Sequence, residues 1–118
     1  MANKNAESTR FYSDMHEKSV CKALGATQTS NSGAGMFSAG DCIQSDASML
    51  IECKTCMSDK NSFSIKEDWL NKNKKEMFAK RLQYGSLCFN FGPKKPNYYI
   101  INEELMQELV NYLSEQLK

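Results

Sequence analysis

The chain of 118 residues has little histidine, tryptophan or proline: one His, one Trp and two Pro. His16 adjoins Glu17 and belongs to the surface or margin of a helix, so a Cys-His catalytic pair is not expected. No stretch approaches the ~18 consecutive apolar residues that a membrane span needs, which excludes a transmembrane helix. Residues 1–10 are polar, with no apolar segment ahead of a cleavage site, so no secretory signal is expected and the chain is expected in the cytoplasm. An excess of charge of one sign is also missing, since 15 Lys and Arg face 14 Asp and Glu, a net charge of +1. Cysteine pairing lacks a partner. Positions 21, 42, 53, 56 and 88 make five, an odd number without secretory context, and reduced thiols are the expectation. Cys53 and Cys56 form a single C-x-x-C; a zinc site usually takes four ligands, and alternation along a strand would aim these two thiols to opposite faces. There is no internal repeat and no low-complexity tract.

What is present is the composition of one globular domain over residues 1–118, with residues 1–8 expected to be a flexible leader that also carries Glu7. The near-zero net charge hides an asymmetry. Residues 1–53 hold four basic and six acidic residues, residues 54–95 ten and four, and residues 96–118 one and four. A basic middle between acidic flanks suits a face that meets phosphates, although lysines on a helix also serve simply as its solvated side.

Periodicity predicts a helix over 9–24, where Phe11, Met15, Cys21 and Leu24 approximate helical spacing, and Gly25 stops it. A short polar strand and a loop follow over 26–40. Residues 41–44 and 48–56 read as two strands of an antiparallel hairpin around the turn-prone 45–47. A second long helix is predicted over 65–84, from Ile65, Trp69, Leu70, Met77, Phe78 and Leu82, with Gly85 as its stop. Residues 86–91 and 97–101 are strand-like, joined by a connection with two prolines and a glycine. Asn102 can cap a last helix whose Leu105, Met106, Leu109, Val110 and Leu113 form an apolar stripe. The order is α-β-β-β-α-β-β-α, and a small mixed β-sheet flanked by helices, an α/β fold, accommodates it most simply. The tyrosines and phenylalanines fall mostly in core-like positions, with Tyr98 and Tyr99 split between the two faces of a strand, so no base-stacking platform is expected.

Chemistry concentrates in Asp41 and in Glu52-Cys53-Lys54. Alternate strand residues share a face, so Glu52 and Lys54 project together while Ile51, Cys53 and Thr55 point away. If the hairpin forms, Asp41 comes close to Glu52, and two carboxylates so placed suit a hard divalent cation such as Mg²⁺, with the Cys53 carbonyl as a further oxygen. Lys54 could then orient or deprotonate a water, or offset charge on a phosphate. The same triplet is equally an ion pair at a sheet edge, with Asp41 a turn residue.

Gly40-Asp41, followed eleven residues after Asp41 by Glu52-Cys53-Lys54, resembles the core signature of the PD-(D/E)xK nucleases. Glu17, with Val20 and Leu24 three and seven residues on, is similar to the first helix of archaeal Holliday junction resolvases and their phage relatives. Ser32-Gly33-Ala34, Ser62-Phe63-Ser64-Ile65 and Trp69-Leu70-Asn71-Lys72 look like the phage branch in particular. The resemblance spans residues 13–91 and implies a restriction-endonuclease-like fold and a Mg²⁺-dependent DNA endonuclease, with Mn²⁺ as a substitute, acting in recombination and repair in a bacterium or phage-infected cell. It implies catalytic roles for Glu17, Asp41, Glu52 and Lys54, and metal ligation by Asp41, Glu52, the Cys53 carbonyl and Glu17. Ser32, Lys60, Ser62, Ser64, Lys66 and Lys72 are the candidate DNA contacts. The partners expected are branched DNA and a second copy of the chain, with no membrane and no small-molecule substrate. Cleavage of flaps, ends or single strands, and a catalytically silent DNA-binding module, are the alternatives. The chain departs from the family at Gly40, where the name-giving proline stands elsewhere, and in the strand after the first helix, which lacks an arginine that several archaeal resolvases carry.

Overall fold

The first two helices stack on opposite sides of one sheet, and most of the buried residues lie on its strands; the second helix buries Asn73 and leaves Leu70 and Phe78 of its apolar pattern exposed. The structure, a computed structural model, describes residues 2–29 and 40–118, with side chains from Phe11 onward. Ser32 and the Ser32-Gly33-Ala34 step lie outside the described residues. The elements are α1 (Ala2–Leu24), β1 (Thr27–Gln28), β2 (Gly40–Gln44), β3 (Met49–Lys54), α2 (Glu67–Ala79), β4 (Tyr84–Phe89), β5 (Tyr98–Ile100) and α3 (Glu103–Gln116). Their order is the one expected. One mixed sheet runs β1-β2-β3-β4-β5, parallel only between β3 and β4. That pair is bridged by α2, since a parallel pair needs a long crossover.

Helix α1 begins at Ala2, seven residues before the position that periodicity suggests. Ala, Lys, Asn and Glu in that stretch are compatible with a helix but polar all round, so they leave no periodic trace. Gly25 closes the helix in the left-handed region at φ 64°, with the Ala26 amide donating to the Cys21 carbonyl at 2.9 Å. The helix packs through Val20 against Cys42, Ile51, Cys53 and Cys88, all buried. Alternation then sends Asp41, Leu50, Glu52, Lys54 and Leu87 to the other face, which α2 covers.

Helix α2 is shorter than its hydrophobic pattern, ending at Ala79 rather than near Tyr84. Arg81 turns the chain at φ 58°, and the amides of Gln83 and Tyr84 both donate to the Ser48 carbonyl at 2.9 Å, which starts β4 in register with Met49. Gly85 is therefore a strand residue and not a helix stop. A Cβ there would lie 2.1 Å from Asn73 Oδ1, so the glycine lets α2 approach β4 closely while Asn73 Nδ2 donates to the Ser86 carbonyl. Asn102 caps α3 as expected, accepting from the Leu105 amide at 2.9 Å. Leu105 is the buried residue of α3; Met106, Leu109, Val110, Tyr112, Leu113 and Leu117 are exposed. Among the described residues no helix is long and apolar enough to cross a membrane.

Candidate metal centre

The hairpin register makes the centre. Asp41 and Glu52 are direct partners across β2 and β3, and both side chains face α2. Helix α2 runs over them with Asn73 at its contact with β4, and Glu76, one turn on, points to the same place. One carboxylate oxygen from each of Asp41, Glu52 and Glu76 lies within 4.8 Å of the others. Glu52 is fully buried. Among the described residues, Asp41 Oδ1, both Glu52 oxygens and Glu76 Oε2 are buried without a hydrogen-bond donor.

Among the described residues the closest compensating charge is Lys54, whose Nζ stands 2.8 Å from Glu52 Oε2, an ion contact without hydrogen-bond alignment, and Lys72 stands 3.9 Å from Glu76. The same ammonium sits over the Trp69 ring, 4.4 Å from its centroid, so its position is held from two sides. Three carboxyls with one amine in close contact and a second at 3.9 Å leave an excess of negative charge in a largely buried place, which is costly unless it is neutralised. The consequence is visible at Asp41. Burial, reinforced by the charges of Glu52 and Glu76, pushes its carboxyl up to about 7, while Lys72 and Lys80 pull the other way. An oxygen-only, donor-free, anionic pocket fits a hard divalent cation in ligand type and charge.

The structure brings together Asp41, Glu52 and Lys54 as the strand pattern implies, but not Glu17. Helix α1 lies on the opposite face of the sheet, where Glu17 Oε1 accepts from Gln28 Nε2 at 3.2 Å, and Gln28 is the register partner of Cys42. The third carboxylate is Glu76 instead. Glu76 lies seven residues after Trp69 and three after Asn73, a polar continuation of the inward row of α2. That spacing was the available signal, masked by the reading of acids and lysines between apolar positions as solvated. Cys53 sits in a strand paired on both sides, with Gly40 and Cys88 as its partners, and its thiol faces α1.

Of the candidate DNA contacts, Lys72 lies near Asp41 and 3.9 Å from Glu76, and Lys66 precedes α2 with its Nζ 5.8 Å from the Trp69 centroid. Ser62, Ser64 and Lys60 are exposed on the segment that leads into α2. Lys80, which the sequence reading left among the solvated lysines, joins Lys72 beside Asp41. The five cysteines are free. Cys56 donates to the Ser58 carbonyl and no thiol belongs to the carboxylate group. His16 is buried, with Nδ1 3.0 Å from Thr55 Oγ1 and Nε2 3.5 Å from Cys88 Sγ, rather than on the helix surface.

No protein-family model matches the chain, and neither does a curated protein or a solved structure.

Proposed function

We propose that the chain is a metal-dependent DNA endonuclease of the PD-(D/E)xK type, a phosphodiester hydrolase with the restriction-endonuclease-like fold. One observation carries this reading. Three acids from two strands and a helix bring one carboxylate oxygen each within 4.8 Å of the others, four of their oxygens are buried without a hydrogen-bond donor, and a lysine amine stands 2.8 Å from one of these. An ion pair at a sheet edge would not bury Glu52 completely or add a third acid. The element order and the mixed sheet with helices on both faces are in keeping with the proposed fold.

In this reading Asp41, Glu52 and Glu76 hold Mg²⁺, or Mn²⁺ in its place. Bound there, the ion supplies charge neutralisation at the phosphate and a more acidic water. Lys54, steadied by Glu52 and by the face of Trp69, orients the attacking water and offsets the charge that develops on the phosphate. Lys66, Lys72 and Lys80 draw the phosphates toward the acids, and Lys60, Ser62 and Ser64 extend that contact along the backbone without reading sequence. Ser32 keeps its proposed role from the sequence alone. Glu17, on the far side of the sheet and bonded to Gln28 on β1 next to β2, holds no metal in this reading. A structure-specific junction-resolving enzyme must cut two opposed strands and so works as a symmetric homodimer. The exposed stripe of α3 is the face offered for it, because that helix buries Leu105 and leaves its other large apolar side chains open.

The test is cleavage of labelled four-way junction, flap, duplex and single-stranded DNA with Mg²⁺ and with Mn²⁺, with Lys54→Ala and Asp41→Asn alongside. Cleavage lost in both variants supports the reading, and paired symmetric nicks in the junction alone identify a resolvase. DNA that is bound but left intact with either ion removes the enzyme and leaves a binding module.

A further inference from the structure

The buried residues of the described core are Val, Leu, Ile, Cys, His16, Glu52 and small polar side chains, with no Phe, Tyr or Trp among them. The rings have gone elsewhere. Five of them, from the segment before α2, the first turn of α2, the end of β4 and β5, form one row that begins at the metal centre. Trp69 lies under the Lys54 ammonium that contacts Glu52. Phe63 follows at 6.3 Å from Trp69, and Phe89 stacks on Phe63 at 4.9 Å with 27° between their planes. Phe91 and Tyr98 complete the row at 5.5 and 6.0 Å from Phe89. None of the five is fully buried, and Tyr98, at the end on the edge strand, is 50% exposed.

A row of partly open rings is sequence-tolerant as a binding surface, because every base has a π-face and three of the five side chains, Phe63, Phe89 and Phe91, carry no hydrogen-bonding group. Its electrostatic setting is cationic. Lys54 and Lys66 stand over Trp69, and residues 54–95, which hold four of the five rings, carry ten basic against four acidic residues. Bases within a duplex are stacked on each other and reach such rings only after unstacking. An apolar peptide would find the rings but no use for the lysines. A strand with unpaired bases uses both.

Resting on the nuclease reading of the acid cluster, we propose that Trp69, Phe63, Phe89, Phe91 and Tyr98 form a stacking track for an unpaired DNA strand, so that the centre acts on DNA with a single-stranded segment beside the scissile bond. Trp69 is the chain's single tryptophan, and its fluorescence reports occupancy directly. The experiment titrates the full chain in EDTA with a 12-nucleotide oligothymidylate, an abasic oligomer of the same length and charge, and a blunt duplex.

The expected result is quenching of Trp69 by the oligothymidylate, with affinity at least about tenfold above the abasic oligomer and above the duplex. Tyr98→Ala should lose about tenfold in affinity for the oligothymidylate alone, and Tyr98→Trp should restore it. Equal affinity for oligothymidylate and abasic oligomer, tighter binding of the duplex, or a Tyr98→Ala change in thermal stability with binding intact would each overturn the track. Because these titrations need no cleavage, the two readings fail separately. Base-dependent binding without cleavage of junction, flap, duplex or single strand in Mg²⁺ or Mn²⁺ retains the track and removes the nuclease, while cleavage without base-dependent binding does the reverse.

Discussion

Asp41 enters the fold with an ordinary carboxyl value of 3.8 and is pushed up to about 7, first by burial and then by Glu52 and Glu76. An acid raised in the folded state binds its proton more tightly there than in the unfolded chain, so without metal it penalises folding progressively as pH rises between about 4 and 7. The penalty is fully present above 7 and absent below 4. Discounted for its partial exposure, it should amount to about 2 kcal/mol, seen in denaturant melts as the difference between wild type and Asp41→Asn across that range. A difference that is flat with pH would contradict the raised carboxyl. A second residue-scale prediction separates the two helical acids. Glu76→Gln should lower cleavage and Mg²⁺ affinity by about 10- to 100-fold, as loss of a group at a metal site does. Glu17→Gln, across the sheet, should stay within about twofold in both. The opposite ranking, measured by single-turnover cleavage and calorimetric titration, would return the third ligand to α1.

At the scale of elements, the helix crossover from β3 to β4 brings Glu76 to the strands, and its depth depends on one glycine. Gly85→Ala would push a methyl into Asn73 Oδ1, and Asn73 would have to rotate and give up its bond to the Ser86 carbonyl. The expected cost is about 1–3 kcal/mol, with cleavage reduced beyond what lost stability explains because α2 and Glu76 shift. Combining it with Asn73→Ala should cost less than the two separate changes added together, a non-additivity that a double-mutant cycle measures. The hairpin itself was legible. Alternation through Ile51, Glu52, Cys53 and Lys54, with a turn at 45–47, brings Asp41 close to Glu52, and the structure extends the turn through Ser48 and makes the two direct partners. The end of α2 was not legible, because Leu82 continues the helical spacing while the bonds from Gln83 and Tyr84 to Ser48 come from a strand 35 residues earlier in the chain.

For the molecule as a whole, the first two helices each find a face of the sheet while α3 buries only Leu105 and leaves its apolar stripe open. Leu109 and Leu113, one turn apart and 42% and 54% exposed, sit at the middle of that stripe. In a homodimer closed through α3, Leu109→Glu with Leu113→Glu should halve the mass seen by light scattering and turn paired junction nicks into single ones. The melting temperature of the domain should hardly change, since neither residue is in its core. A wild-type chain that already runs as a monomer would remove the dimer from the proposal and leave the acid centre intact.

By itself the sequence determined the element order, the α/β class, the hairpin and the shared face of Asp41, Glu52 and Lys54, because these follow from periods of two and 3.6 residues that act within a few neighbours. Tertiary structure decided which helix supplies the third acid and where the rings collect. Glu17 and Glu76 both sit on amphipathic helices, and only the stacking of α1 and α2 on opposite faces sends one to the carboxylates and the other away. Likewise Phe63, Trp69, Phe89, Phe91 and Tyr98 are spread over 36 residues, and no local pattern says that they meet beside Lys54.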